Sequence, residues 1–247
     1  DAAGNLGTVS NTRRLILDNT APTARSVITS VIDNVGFKRG NRPRGTRSDD
    51  RTPTLSGTLT TALASGDTLR IYSGNTLLGN ATVSGQSWTF TPSEPLDTNR
   101  THTFKARVED AAGNFSSVSQ RSLILDTTAP SIRSAITGIS DNVGSRRGNL
   151  ANGARSDDRK PTLSGTLTAD LAAGDTLRIY SGNAFLGNAN VSGKTWTFTR
   201  SKQLSTNRTH SFKARVADAA GNLGTVSNTR RLILDNTAPT ARSVITS

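Results

Sequence analysis

The first thirty residues, DAAGNLGTVSNTRRLILDNTAPTARSVITS, return letter for letter as residues 218–247. Repetition of this kind constrains the fold before any other feature, because each copy must be a unit that folds the same way. A variant of the opening motif, DAAGNFSSVSQRSLILDTTAP, begins at Asp110, and the pairs Asp33/Asp141, Pro53/Pro161 and Trp88/Trp196 each stand 108 residues apart. The chain therefore reads as a window on a longer array. Residues 1–19 are the C-terminal part of one repeat, 20–127 and 128–236 are two whole repeats, and 237–247 are the first strand of the next. A unit of this length can bury a core of its own.

Within a repeat the apolar residues alternate. Leu55, Gly57 and Leu59 are separated by polar neighbours, as are Leu69 and Ile71, Trp88 and Phe90, and Phe104, Ala106 and Val108. That period of two marks strands with one buried face. Residues 24–32, 77–83 and 118–125 complete a set of seven strands, and Ser73-Gly74-Asn75, Ser84-Gly85 and Ala112-Gly113-Asn114 supply turns between them. Seven short strands with closely spaced turns predict an all-β fold, a tandem of seven-stranded immunoglobulin-like β-sandwiches in an elongated array. Trp88 and Trp196, in phase with Phe90 and Phe198, are expected in the core. His102 and His210 have no acidic or cysteine partner nearby in sequence and are expected to be lone exposed histidines, not catalysts.

Composition agrees with a thin β domain: 33% of residues are hydrophobic and 4% aromatic. No apolar run is long enough to span a membrane. Cysteine is absent, so packing or metal has to stiffen the fold. The formal net charge of +12 favours an acidic partner. The basic residues are scattered, however, and aromatics are too few for a base-stacking platform, which argues against nucleic acid.

The acidic residues are biased towards aspartate, with only Glu94 and Glu109 departing from it among eighteen. They recur in register. Asp33, Asp49 and Asp50 bracket the first long loop, and Asp141, Asp157 and Asp158 bracket the second. Asp18, Asp126 and Asp235 close the last strand of each repeat, and Asp1, Asp110 and Asp218 open each Asp-Ala-Ala-Gly-Asn turn. In a sandwich of this topology the loop after the first strand and the end of the last strand share a pole. The turn between the sixth and seventh strands lies at the opposite pole of its own repeat. Asp218 and Asn222 are thus expected to face Asp33, Asp49, Asp50 and Asp126. Carboxylates gathered in this way repel one another unless a cation joins them, and a hard ion with six to eight oxygen ligands suits them. One or two structural Ca2+ ions per junction are expected. The same loop also carries Lys38, Arg39, Arg42, Arg44 and Arg47, whose charges can pair with the aspartates in place of a metal.

The ordered set Thr-Ala-Pro, Asp-Asn-Val-Gly, Ser-Asp-Asp, Pro-Thr-Leu-Ser-Gly-Thr-Leu and Asp-Ala-Ala-Gly-Asn resembles the bacterial immunoglobulin-like repeats of giant surface adhesins, over essentially the whole chain and in both repeats. The resemblance implies export by type I secretion, residence on the bacterial cell surface, and a role as an extension arm stiffened by calcium, with a distal region that binds the target. It places a junction ion at Asp33, Asp49, Asp50, Asp126 and Asp218 with Asn222, and another at Asp141, Asp157, Asp158 and Asp235. Asp18 with Asp110 and Asn114 would form half of an upstream site. The chain departs from the family in being strongly basic, and in Asn34 and Asn142, which stand where a second Asp is common.

Three functions compete on these residues. The first is a structural spacer of a cell-surface adhesin, serving cell adhesion or biofilm formation, with neighbouring repeats as its partners. The second is a binding module for anionic surface polysaccharide or host or biofilm matrix, using the basic loops Lys38–Arg47 and Arg146–Arg155. The third, an enzyme, lacks a nucleophile, base or open metal site, and the chain is expected not to be one.

Overall fold

The computed structural model describes residues 2–145, 147–238 and 240, and among them every regular element is a β-strand. The first repeat runs through β1 (Ser26–Asp33), β2 (Gly40–Asn41), β3 (Arg47–Ser48), β4 (Thr54–Leu59) and β5 (Thr68–Ser73). It continues with β6 (Thr76–Asn80), β7 (Thr82–Ser84), β8 (Ser87–Phe90), β9 (Arg100–Glu109) and β10 (Ser119–Leu125). The second repeats the series as β11 (Ser134–Asp141), β12 (Gly148–Asn149), β13 (Arg155–Ser156), β14 (Thr162–Leu167) and β15 (Thr176–Ser181). Then come β16 (Ala184–Asn188), β17 (Asn190–Ser192), β18 (Thr195–Thr199), β19 (Arg208–Ala217) and β20 (Arg230–Leu234). Each repeat forms two five-stranded sheets, ordered β2-β1-β4-β8-β7 and β3-β10-β9-β5-β6 in the first, with the same order in the second. The architecture is a tandem of immunoglobulin-like sandwiches.

Ten strands per repeat replace the seven expected, for two reasons. The run 77–83 is broken at Ala81, with β6 pairing to β5 in one sheet and β7 to β8 in the other. Gly79, at φ 146° with its Cα against the Phe90 ring, allows that change of sheet. The other additions, β2 and β3, are two-residue strands inside the long loop, too short to leave a period in the sequence. One of them, β3, pairs parallel to the end of β10, Arg47 opposite Ile124 and Ser48 opposite Leu125.

By its contacts the chain divides into two compact units: Asp1–Ile32, Thr52–Pro95 and His102–Leu123 form the first, and Asp33–Arg51, Leu96–Thr101 and Ile124–Ser247 the second. The first is centred on buried Leu55, Leu69, Ile71, Trp88 and Phe104. The second is centred on Leu163, Leu177, Ile179, Trp196 and Phe212, with Leu232 and Leu234 of β20 closing it. The tryptophans are core residues, as their phase indicated. The histidines are buried too, at 5% and 6% exposure, which corrects the expectation of exposed rings. His102-Phe104-Ala106-Val108 share the inward face of β9, and the ring of His210 stacks on Phe212 at 6.0 Å. His210 Nδ1 lies 3.1 Å from Ser181 Oγ and Nε2 2.9 Å from the Ser205 carbonyl, so both ring nitrogens have partners inside the sheet.

Residues 2–19 contain no strand, and Leu6, Val9, Leu15, Ile16 and Leu17 are more than 80% exposed. The same letters at residues 230–234 are β20, paired to β19. Sequence alone does not make this segment a strand; the neighbouring strand does. The strand expected over 237–247 falls largely on residues 239 and 241–247, outside the described residues.

Candidate functional site

The long loop Asp33–Arg51 belongs to the second unit, together with the Asp218–Asn222 turn and Asp126. Ser48 anchors the loop's first carboxylate and the backbone of Asp50. Its Oγ, fully buried, donates to Asp33 Oδ2 at 2.6 Å and accepts from Asp50 N at 3.2 Å. Asp33 Oδ1 accepts from Val35 N, and Asp50 Oδ2 accepts from Asn34 N at 2.8 Å. The Arg42 guanidinium stands 3.9 Å from Asp33. Burial nonetheless raises the Asp33 pKa above the usual carboxylate value, with Asp50 adding repulsion and Ser48, Val35 and Arg42 opposing.

Asp49 is different. Its carboxylate is pressed against the backbone of Gly36 and of Gly221, 2.6 Å and 3.2 Å from where their Cβ atoms would stand. Its Oδ1 is buried without a hydrogen-bond partner. Burial first, then the charges of Asp33, Asp218 and Asp50, raise its pKa.

Across from the loop, Asp218 spends its oxygens on its own turn: Oδ1 accepts from Gly221 N and Asn222 N, and Oδ2 from Asn222 Nδ2. The same Nδ2 donates to the Asp126 carbonyl at 2.8 Å. The Asp126 carboxylate accepts from Arg47 Nη1 at 2.8 Å and from Thr128 N. Lys38 Nζ donates to the Ala219 carbonyl at 3.0 Å, and Arg42 Nη2 reaches the same oxygen at 3.4 Å. Burial and Arg42 lower the Lys38 pKa, against the pull of Asp218 and Asp175. A cleft of about 480 Å³ opens beside this turn, lined by Arg47, Asp126, Asp175, Asp218 and Ala219 among others.

The second loop repeats the local pattern. Asp141 accepts from Ser156 Oγ at 2.6 Å and from Val143 N; Asp158 accepts from Asn142 N and Lys160 N; Asp235 accepts from Arg155 Nη1 at 2.8 Å. Asp157 lies against Gly144 as Asp49 lies against Gly36. In the first unit Asn114 Nδ2 donates to the Asp18 carbonyl at 2.9 Å, the counterpart of Asn222 and Asp126. Asp110 is partly exposed, and its hydrogen bonds from Asn114, Ala112 and Gly113 hold its pKa low.

The structure thus groups Asp33, Asp49 and Asp50 and sets Asp49 facing the Asp218 turn, while Asp126 is engaged by Arg47 and Asn222. Calcium asks for oxygen donors converging on one point. The donors here are of the right kind, but those of Asp33, Asp126 and Asp218 are already occupied by N–H, O–H or guanidinium groups. Among the described residues no three acidic or imidazole side chains are disposed to hold a metal ion. With Lys38 and Arg42 also turned onto Ala219, the first loop does not fit a dication.

Two participants escaped the sequence reading. Asp175 is raised by burial and by Asp218. Arg178 lies with its guanidinium carbon 4.0 Å from the Phe37 ring centre and 3.9 Å from that of Phe185. Neither contact had a local signal, because Phe37 and Arg178 are far apart in the chain. The departure from exact repetition was visible, since Phe37 and Phe185 correspond to Ser145 and Leu77.

Residues 40–127 match the family model of the bacterial Ig-like domain. Among solved structures, the chain is similar to the fibronectin(III)-like modules of Clostridium thermocellum CbhA, with 14% identity over 88% of this chain and 100% of that one, at a TM-score of 0.47. It is also similar to the BSP domain of a biofilm-associated protein, with 18% identity over 81% of this chain and 30% of that one, at a TM-score of 0.26. No curated protein matches the chain.

Proposed function

We propose that the chain is a run of spacer repeats from a bacterial cell-surface adhesin, with a mechanical role in cell adhesion or biofilm formation. The observation that carries this is the recurrent tether at the start of each repeat. In both units the asparagine of the Asp-Ala-Ala-Gly-Asn turn donates to the carbonyl of the aspartate just before the linker that leads into that repeat, Asn114 to Asp18 and Asn222 to Asp126. One bond, reproduced at the same place in each copy, holds the connecting segment against the repeat that it enters. The match of residues 40–127 to a bacterial Ig-like domain supports an extracellular setting.

Calcium remains part of the proposal at the second loop. There Leu150 and Asn152 replace Arg42 and Arg44, so the loop carries fewer cations, and a bound ion would have to displace the partners already on Asp141, Asp158 and Asp235. Binding of anionic polysaccharide would fall to Arg39 and Arg44, which are exposed, since Arg42 and Arg47 are turned onto backbone and Asp126. Small-angle scattering of this chain in calcium and in excess EDTA tests the spacer. A long particle in calcium supports it, and a compact or freely hinged particle in both conditions overturns it. Shortening in EDTA would place calcium in the array; an unchanged particle would remove it.

A further inference from the structure

The two repeats differ where they would meet their neighbours, and the differences match. In the first repeat Arg70 forms an ion pair with Glu109, Leu77 stands on β6, and Arg107 lies over Phe115 at 3.6 Å. In the second, Ala217 replaces Glu109, so Arg178 has no carboxylate at that position. It turns to Tyr180, whose hydroxyl accepts from its Nε at 2.9 Å, and its guanidinium lies between Phe37 and Phe185. The loop that supplies Phe37 also supplies Lys38 and Arg42, the two cations on the Ala219 carbonyl. The second loop has Ser145 at the place of Phe37 and Leu150 at that of Arg42.

We propose that the loop at Asp33–Arg51 and the face built by Arg178, Phe185 and Ala219 are a matched pair. The seat recognises a loop carrying aromatic and basic residues at positions 37 and 38, and it is closed by the chain's own cations without a metal ion. The chemistry follows from the parts. A guanidinium between two aromatic faces is held by both ring quadrupoles. It is available only because residue 217 is not a glutamate. The Lys38 ammonium sits among Asp175, Asp218 and the Ala219 carbonyl, where a separate cation would otherwise be needed. A loop with serine at position 37 has no ring to insert, and a face with Glu109 and Leu77 has neither a free guanidinium nor a second ring. Repeats of the two kinds are therefore distinguished by their seats, and order along the array is written in a few residues.

Hydrogen–deuterium exchange of the whole chain tests this, read at the amides of residues 33–51 in EDTA and in calcium. Equal protection in both is expected. Phe37→Ser and Phe185→Leu, each installing the residue of the other repeat, should each speed loop exchange about tenfold while the amides of β15 and β19 stay protected. The double variant should be no faster than either single one. Ala217→Glu should loosen the loop to a similar degree by capturing Arg178, and its far-ultraviolet spectrum checks that it has folded. Loss of wild-type loop protection in EDTA would overturn the metal-free seat. Unchanged exchange in Phe37→Ser and Phe185→Leu would overturn the matched pair. Both readouts are local, so they stand or fall separately from the scattering test of the spacer.

Discussion

Lys38 Nζ and the Ala219 carbonyl oxygen meet at 3.0 Å across 181 residues of chain. The ammonium is partly withdrawn from water and has Arg42 beside it, and together these outweigh Asp218 and Asp175 and lower its pKa from 10.5. A lysine whose folded pKa lies below its unfolded value binds fewer protons when folded, over the window between the two. Stability therefore rises with pH through that window. Urea denaturation from pH 8 to 11 should show this rise in the wild type relative to Lys38→Gln, and parallel curves for the two would refute it.

Asp49 has the opposite sign. Its folded pKa is raised, so the folded state takes up a proton more readily, and the charged carboxylate costs stability at neutral pH. Asp49→Asn removes that charge in nearly the same volume. The variant should have a higher thermal midpoint at pH 7 and no advantage at pH 3, where the wild-type carboxyl is protonated. A variant less stable at pH 7 would show that Asp49 is held by a cation.

How much of this could be read beforehand depends on distance along the chain. The alternation of Leu55, Gly57 and Leu59, or of Phe104, Ala106 and Val108, encodes which face of a strand is buried, so the sandwich and its core were legible. His102 was legible too, by its phase with Phe104, but only if the period is trusted above residue type. The break at Ala81 was not, because a strand that changes sheets keeps the same apolar letters. The aspartate pattern located the loop and the turn that the second unit brings together. It could not show that Ser48, Val35 and Asn34 already fill those oxygens, since hydrogen bonds from backbone N–H groups leave no mark on composition. Arg178 lay beyond reach because its stack depends on Phe37, a residue of the other repeat.

Ser48 and Ser156 each hold a buried aspartate, Asp33 and Asp141, by an O–H···O bond of 2.6 Å. Replacing either serine with alanine leaves a carboxylate oxygen buried without its donor, and also removes the acceptor for Asp50 N or Asp158 N. Loss of a buried hydrogen bond to a charged group costs about 1.5–3 kcal/mol. Ser48→Ala and Ser156→Ala should therefore destabilise by similar amounts in chemical denaturation. A change below about 0.5 kcal/mol, the range of ordinary surface substitutions, would show that water replaces the hydroxyl.

The sandwich core has its own demand at Gly57 and Gly165. Each faces a tryptophan across the sheet, Gly57 opposite Trp88 and Gly165 opposite Trp196. A Cβ on Gly57 would stand 1.9 Å from the Val27 carbonyl oxygen and 2.5 Å from the Trp88 ring, and on Gly165 2.0 Å from the Ala135 oxygen and 2.3 Å from the Trp196 ring. Neither backbone nor buried indole can yield that far, so Gly57→Ala and Gly165→Ala should each cost about 3 kcal/mol or more, at the upper end of overpacking. Gly74→Ala is the control. It sits in open space at φ 62°, so only left-handed strain of about 1 kcal/mol is added. Denaturation midpoints and tryptophan emission read both effects. If Gly57→Ala proved as mild as Gly74→Ala, the indole would not be seated on the glycine backbone.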